Sequence, residues 1–385
     1  MTKNLVICCD GTGNQFEVDQ TNVLKLHSAL VIDSEHGQEA YYAPGVGTFS
    51  PKMALTRPGA AFSKLLGLSL GYGYRQTIAN AYRFLMNHYE PGDRIFLFGF
   101  SRGAYAIRII AAMIHGVGIL CRGNHQLIPY ALAELELRKG RQLDFQSLGR
   151  FRKQFSRRLP EKPDVFLGAW DTVSSISWAY DYLAYAFTAS NPSLRVVRHA
   201  VAIDESRAFF AQNLFRHGPK SRDTGERALE QDIKEVWFAG CHSDVGGGYP
   251  ESESGLSKLA LEWMLVEARD VGGLILDETR VASLLSGGEA IGPEGTRHHS
   301  LRGAWHLAEW FPKQTYGVRF PRPHLYRKRQ ILRRNRDESV PAKDALPIIH
   351  QSAVERRSHS GQSGWPEYSP PNWPESHEIE PWKRF

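Results

Sequence analysis

The feature that most constrains this chain is a Gly-x-Ser-x-Gly pentapeptide, Gly99 to Gly103, that separates an apolar run from an alanine-rich segment. The apolar run, 95–98, follows a Pro-Gly-Asp turn and predicts a strand buried on both faces. Residues 104–114 are apolar on most sides at helical spacing, which predicts a helix packed on a central sheet. A serine on such a sharp turn has its hydroxyl exposed above the sheet, so Ser101 is a candidate nucleophile.

The residues around Ser101 fit the same chemistry. Gly99 and Gly103 remove side chains that would collide in a tight turn. The N–H groups that open the following helix lack intrahelical acceptors, and their partial positive charge stabilises an oxyanion. The N–H of Arg102 is therefore the expected first oxyanion donor. A tight turn without any chemistry is the alternative interpretation of the pentapeptide.

Strand and helix patterns alternate along most of the chain. Predicted strands at 5–9, 40–43, 95–98, 164–169 and 233–239 alternate with predicted helices at 21–30, 73–89 and 257–271. This alternation predicts an α/β-hydrolase-like fold, with a mostly parallel central sheet, helices on both faces and lid-like insertions. We expect an α/β-hydrolase catalytic domain at 1–283, with insertions at about 49–74 and 134–163. A C-terminal extension at 284–385, rich in proline and charge, is expected to pack on the same domain.

The composition is typical of a globular protein, with 385 residues, 42% hydrophobic and 23% charged. No segment has the pattern of a signal peptide or of a spanning helix, so we expect a cytoplasmic protein; export without a signal peptide stays open. The four cysteines have neither metal-site nor disulfide spacing. Cys8 and Cys9, adjacent in a predicted strand, are expected to be buried and reduced. The sequence does not determine an oligomeric state.

The net charge of +6 is concentrated in two basic runs, from Arg138 to Lys162 and from Arg319 to Arg336. Such runs are usually solvated faces, and if they bind a partner they suit an anionic surface. No nucleic-acid-binding motif accompanies them. The expected partners are therefore a substrate and, at most peripherally, an anionic membrane, and not nucleic acid.

Two segments have the composition of a cover over a cleft. Residues 49–74 mix glycine with leucine, and residues 178–187 are rich in aromatic side chains. A core helix with an aromatic stripe and a lipid-facing lid fit these patterns equally well. The sequence leaves both interpretations open.

A serine hydroxyl becomes a good nucleophile when an imidazole takes its proton, and a carboxylate orients that imidazole. Ligands bind at the carboxyl ends of parallel strands, so the acid and the base are expected there. Asp171 and His242 both follow predicted strands, in the Ser-Asp-His chain order of α/β-hydrolases. His242 could instead be a histidine hydrogen-bonded in a loop. Asp244 is the rival acid, or a cap for the turn after His242; chain order favours Asp171.

A second oxyanion donor is expected in the glycine-rich turn that follows the first strand. Gly11 and Thr12 are the natural donors, with Asp10 supporting the turn, as Asp244 supports the turn after His242. Taken alone, the turn could cradle a phosphate, but it has neither the lysine of a P-loop nor dinucleotide-binding spacing. We therefore expect no cofactor.

Eight motifs together carry a resemblance to a known family. They are Asp10-Gly-Thr12, Tyr42-Ala-Pro-Gly-Val-Gly-Thr48, Gly99-Phe-Ser-Arg-Gly-Ala-Tyr105, Trp170-Asp-Thr-Val173, His199 with 202–205, and the motifs at 240–249, 261–264 and 349–352. The chain resembles α/β-hydrolase-like domains that include the lipase effectors delivered by bacterial type VI secretion. This resemblance implies a carboxylic ester substrate, such as a phospholipid cleaved at an sn-1 or sn-2 acyl chain. It also implies a triad on Ser101, Asp171 and His242.

Three functions are compatible with these residues. The preferred hypothesis is a metal-independent serine ester hydrolase that acts on lipid or small esters. The second is a metallohydrolase in which Asp10, Asp171, His242 and Asp244 bind a divalent ion, although their spacing matches no known metal motif. The third is a binding module that kept a hydrolase scaffold without its chemistry.

Overall fold

A computed structural model describes fifteen stretches of the chain. They are residues 2–11, 20–33, 37–45, 59–137, 143–160, 163–173, 184–207, 210, 213–215, 231–303, 305–308, 314–315, 318–319, 346–370 and 373–385. The strands are β1 (Asn4–Cys9), β2 (Gln38–Ala43), β3 (Arg94–Phe100), β4 (Glu136–Leu137), β5 (Asp164–Trp170), β6 (Ala184–Tyr185), β7 (Val196–Ala202), β8 (Asp232–Phe238), β9 (Gln314–Thr315), β10 (Val318–Arg319), β11 (Ile348–His350) and β12 (Glu378–Glu380). The helices are α1 (Asn22–Ser28), α2 (Gly59–His88), α3 (Arg102–Gly116), α4 (Ile128–Leu135), α5 (Phe145–Phe155), α6 (His242–Gly246), α7 (Gly255–Glu267), α8 (Glu278–Ser286), α9 (Trp305–Ala308) and α10 (Gln351–Ser358).

Eight strands form one central sheet in the order β12-β11-β8-β7-β5-β3-β1-β2. Each neighbouring pair in this sheet is parallel. The carboxyl ends of the strands therefore lie at one end of the sheet, where ligands of open α/β folds bind. The predicted fold class, an α/β-hydrolase-like arrangement around a mostly parallel sheet, is confirmed.

Alternate side chains of each strand enter two different hydrophobic layers. Ile95 and Leu97 of β3 belong to the layer that contains α2 and α3, whereas Phe96 and Phe98 belong to the layer that contains α1 and α7. Because both faces are covered, the strands appear in the sequence as continuous apolar runs. Cys8 and Cys9 enter opposite layers and are fully buried, as predicted.

Three strands of the sheet have no counterpart among the sequence predictions. In β7, Arg198 and His199 interrupt the apolar run; they are buried because Glu267 pairs with Arg198 and Glu235 with His199. The strands β11 and β12 have three residues each, too few to show a period. They extend the sheet beyond β8, so residues predicted as a C-terminal extension contribute two strands to the central sheet.

The segments predicted as insertions or covers are only partly described. The helix predicted from residue 73 begins earlier, at Gly59, so the second half of segment 49–74 belongs to α2; residues 49–58 lie outside the described residues. Most of segment 178–187 is also outside them, but Tyr185 is a core residue. The described part of 134–163 includes α5. Within the described chain, no helix is both long and apolar enough to cross a membrane.

Close contact between α3 and β1 predicts a sensitive position at Gly103. A Cβ there would lie 2.1 Å from the Cys9 carbonyl oxygen and 2.6 Å from that of Asp10, both main-chain atoms. We expect Gly103→Ala to lower the free energy of unfolding by about 1–3 kcal/mol. The control is Gly149→Ala in α5, where an added Cβ meets nothing within 4 Å; it should raise stability by about 0.5–1 kcal/mol. Urea unfolding measures both, and similar effects would contradict the packing argument.

Candidate active site

Ser101 lies between the end of β3 and the start of α3, with φ of 58° and ψ of −122°. Non-glycine residues rarely adopt a positive φ, and such strained residues concentrate at functional sites. The turn is so tight that a Cβ at Gly99 would lie only 2.6 Å from the main chain of Gly103. The pentapeptide thus forms a strained strand-to-helix turn.

The structure brings the predicted acid and base together. Nδ1 of His242 lies 2.6 Å from Oδ2 of Asp171, and both side chains are buried. The second carboxylate oxygen of Asp171 accepts a hydrogen bond from the N–H of Ala202 at 3.1 Å. A carboxylate is an acceptor, so Nδ1 of the neutral ring carries the proton and Nε2 has the free electron pair.

The turns that carry Ser101 and Asp171 are joined through the main chain. The N–H of Ser101 donates to the carbonyl of Trp170 at 3.1 Å, and the N–H of Val173 donates to the carbonyl of Ser101 at 3.2 Å. Asp171 itself has a φ of 37°, so both turns contain a non-glycine residue at positive φ. The serine and the carboxylate are therefore held on neighbouring turns.

Phe100 links the serine turn to the histidine. Its ring centroid lies 4.5 Å from that of His242. The helix α6, which starts at His242, also packs closely on this ring. A Cβ at Gly246 would lie only 1.9 Å from it, so a side chain larger than that of glycine would collide there. Within the described part of the chain, the Ser101 hydroxyl has no hydrogen-bond partner.

Burial is the main influence on the charge of His242 and lowers its pKa below the usual 6.5. The hydrogen bond to Asp171 and the charge of Glu205 oppose this shift, whereas Arg207 adds to it. The main-chain N–H of His242 donates to Glu205 at 3.2 Å, and Glu205 pairs with Arg207 at 2.9 Å. The imidazole is thus neutral at neutral pH, the form that can accept a proton.

Asp244, the rival acid, interacts with other groups. Its Oδ2 accepts from the N–H of Cys241 at 2.9 Å and so caps α6. Its Oδ1 lies 2.6 Å from Nδ1 of His298, and Nε2 of the same ring lies 2.9 Å from Oε2 of Glu253. Asp244 therefore stabilises the turn that presents His242, while Asp171 makes the bond to the ring.

Of the predicted oxyanion donors, the N–H of Arg102 is available to a substrate, whereas the N–H of Gly11 already has an acceptor. The N–H of Arg102 is at the first position of α3, where no intrahelical acceptor exists. Gly11 lies against Ser101, since an added Cβ would be 3.3 Å from that of the serine. However, the N–H of Gly11 donates to Oδ1 of Asp10 at 2.6 Å, and would have to leave it to bind an oxyanion. Thr12 lies outside the described residues.

The four residues of the metal hypothesis do not form one cluster. Asp10 accepts hydrogen bonds from the hydroxyls of Thr21 and Tyr42, each at 2.6 Å. Asp171 and His242 bind each other, and Asp244 binds His298. Among the described residues, no group of three histidine, cysteine or acidic side chains could hold a metal ion. The geometry gives the metal hypothesis no support.

The sequence analysis gave no site role to two neighbours of the candidate base, although one of them, Glu205, belongs to the motif at 202–205. Glu205 contacts the main chain of His242, and the ring of Phe210 lies 4.8 Å from the imidazole. Both follow β7, the strand that the apolar pattern did not reveal. Recognition of a strand at 196–202 would have placed Glu205 at the same end of the sheet as the other candidates.

A comparison with known families decides the relationship of this chain. A sequence model of the catalytic domain of the Tle1-like phospholipase effectors of the type VI secretion system matches residues 3–267. The chain belongs to this family. The matched range contains Ser101, Asp171 and His242, and it confirms the resemblance inferred from the motifs.

Individual relatives are considerably longer than this chain. The uncharacterized protein YEL023C of Saccharomyces cerevisiae is 35% identical over 70% of this chain and 57% of its own length. An uncharacterized protein from Pseudomonas aeruginosa with a known crystal structure is 21% identical in sequence, with a TM-score of 0.41. The match covers 73% of this chain and 47% of the Pseudomonas protein. The Tle1 effector bound to the VgrG spike is 20% identical, with a TM-score of 0.34, over 66% and 52%. The chain thus spans about half the length of the relatives it matches.

Because Asp171 contacts His242 and Asp244 contacts His298, removal of each carboxylate should change the pKa of a different histidine. We expect the pKa of His242 to lie below 6.5 and Asp171→Asn to lower it further, because the charge that favours the imidazolium is lost. Asp244→Asn should leave His242 nearly unchanged and lower the pKa of His298, which Asp244 raises. NMR titration of the histidine rings measures both. A fall in the His242 pKa in Asp244→Asn alone would make Asp244 its partner.

Proposed function

We propose that this protein is a serine hydrolase that cleaves carboxylic esters with a triad of Ser101, His242 and Asp171. The observation that carries the proposal is the 2.6 Å hydrogen bond between His242 and Asp171 beside the strained turn of Ser101. Membership in a family of phospholipase catalytic domains supports it independently. The depressed pKa of His242 also suits a general base that works near neutral pH.

In this mechanism, Nε2 of His242 removes the hydroxyl proton of Ser101 as Oγ forms a bond to the ester carbonyl carbon. The electron pair of the carbonyl moves to oxygen, and the Arg102 N–H stabilises the resulting oxyanion together with a donor from Gly11 or Thr12. The tetrahedral intermediate expels the alcohol, which takes the proton from Nε2, and leaves an acyl-serine. Water attacks this ester by the same steps and releases the acid and the free serine.

The roles of the other two groups follow from their contacts. Asp171 accepts from Nδ1, so it stabilises the imidazolium that forms when Nε2 takes the proton. The step also requires the Ser101 hydroxyl to turn toward Nε2, and no hydrogen bond within the described chain holds it elsewhere.

We propose a lipid acyl ester, such as a phospholipid, as the substrate. The family name supports a phospholipid, and the surroundings of His242 suit an acyl chain. The rings of Phe100 and Phe210 contact the imidazole, and Trp305 lies 5.4 Å from Phe210. Aromatic side chains of this kind supply large apolar contact area.

Contact with an anionic membrane would bring such a substrate to the site. On α5, the ring of Phe145 is 69% exposed, and Arg150, Arg152 and Lys153 are exposed on the same helix. An apolar side chain among basic residues is typical of a surface that binds anionic lipid headgroups. We therefore propose that this surface of α5 contacts the membrane from which the lipid substrate is taken.

The test of the catalytic serine is covalent labelling. We expect a fluorophosphonate probe to label Ser101 in the wild type, and both labelling and hydrolysis of short-chain nitrophenyl esters to disappear in Ser101→Ala. Ser283→Ala, which changes an exposed serine of α8, is the matched control and should behave like the wild type. Activity should also survive exhaustive chelation of divalent metals.

Each alternative has its own outcome in this experiment. Ester turnover that persists in Ser101→Ala and is abolished by chelation would favour a metallohydrolase. A folded wild type that neither reacts with the probe nor turns over any ester would favour a binding module.

The test of the lipid substrate is product analysis. We expect wild-type protein to release fatty acid and lysophospholipid in equal amounts from liposomes of phosphatidylglycerol and phosphatidylcholine, and Ser101→Ala to release neither. Lipid mass spectrometry identifies the products and the acyl position. Hydrolysis of soluble esters without any attack on these liposomes would reject the phospholipid and retain the serine hydrolase.

A further inference from the structure

A second buried carboxylate–histidine pair lies behind the turn that carries Asp171. His199 of β7 and Glu235 of β8 are directly opposite in the parallel register. Nδ1 of His199 lies 2.8 Å from Oε1 of Glu235, and both side chains are almost completely buried. Glu235 also accepts from the N–H of Phe215 at 2.9 Å, which holds its carboxylate in place.

The other nitrogen of His199 accepts from the main chain of Thr172, the residue after Asp171. The N–H of Thr172 lies 3.2 Å from Nε2 of His199, and the Thr172 hydroxyl lies 3.1 Å from the same atom. A main-chain N–H can only donate, so Nε2 is unprotonated and Nδ1 carries the proton. Glu235, an acceptor, selects this tautomer.

Three consecutive N–H groups hold the acid turn. That of Asp171 donates to the carbonyl of Ala200 at 2.8 Å, that of Thr172 to His199, and that of Val173 to the carbonyl of Ser101. Asp171 has a φ of 37°, a conformation that persists only where surrounding bonds determine it. Of the three acceptors, only His199 is a side chain, and so only it can be altered without changing the main chain.

We propose that His199, oriented by Glu235, is a positioning residue that keeps the turn of Asp171 in the place where its carboxylate meets His242. This inference rests on the proposed function, because Asp171 matters for catalysis only if His242 is the base. Burial of a carboxylate and an imidazole costs desolvation, and apolar side chains of similar volume would fill the same space. The need to hold the turn of Asp171 in one position would explain why His199 and Glu235 occupy this space.

Two substitutions of similar chemistry separate positioning from stability. His199→Gln places a carboxamide oxygen where it can accept from Thr172, whereas His199→Asn is too short to do so and can only donate to Glu235. Both remove the ring from the core and should destabilise the protein comparably. We expect His199→Asn to lower kcat by roughly 10- to 100-fold with little change in KM, and His199→Gln to retain kcat within a few-fold.

The pH profile gives a second readout that a loss of stability would not change. Asp171, Glu205 and Arg207 are the charged groups that influence His242, and only Asp171 is tied to His199 through its turn. Loosening that turn removes an interaction that raises the pKa of His242, so the acidic limb of kcat/KM should move to lower pH in His199→Asn. In His199→Gln it should stay at the wild-type position.

An NMR titration in the Ser101→Ala background tests the same inference without turnover. The pKa of His242 should fall when His199→Asn is added and remain unchanged when His199→Gln is added. If both folded variants keep the wild-type kcat, pH profile and His242 titration, His199 has no positioning role. Glu235→Gln, which keeps an acceptor for Nδ1, should behave like the wild type in each measurement; a loss equal to that of His199→Asn would also overturn the inference.

Failure of the proposed function would appear differently. In that case the wild type itself would show no hydrolysis that depends on Ser101, while the titration of His242 would still report whether His199 positions Asp171.

Discussion

Parallel hydrogen bonding between β3 and β5 places the two strained turns of the site side by side. Phe100 and Trp170 are partners in this register, so the next residues, Ser101 and Asp171, leave the sheet at the same level. The N–H of Ser101 continues the pairing by donating to the Trp170 carbonyl. The position of β8, two strands from β5, then brings His242 to the carboxylate. The geometry of the site is thus a consequence of strand order.

Burial gives these polar groups their properties and also requires that they be paired. It lowers the pKa of His242, and the Asp171 bond limits that effect. The same requirement explains the polar residues inside the sheet, where Arg198 binds Glu267 at 2.5 Å and His199 binds Glu235. Charged side chains in a strand therefore need not indicate an exposed strand, provided that a neighbouring element supplies the opposite charge.

The elements that sequence reasoning identified are those with long, uniform local patterns. The strands before Ser101 and Asp171 were predicted within one or two residues, as was the strand before His242. Prediction failed at β7, because its charged centre removes the apolar signal, and at β11 and β12, because three residues show no period. The family match confirms the resemblance, and seven of the eight motifs that carry it lie within the matched range, 3–267.

The sequence alone determined the strand-to-helix turn of Ser101, the alternation of strands and helices, and the set of acids and histidines that follow strands. These features depend on neighbouring residues, so local spacing is enough to reveal them. Only the tertiary structure decided that Asp171 bonds to His242 while Asp244 caps α6, and that Asp10 engages the N–H of Gly11. Asp171 and His242 are 71 residues apart, and their 2.6 Å contact exists because separate strands end at the same end of one sheet.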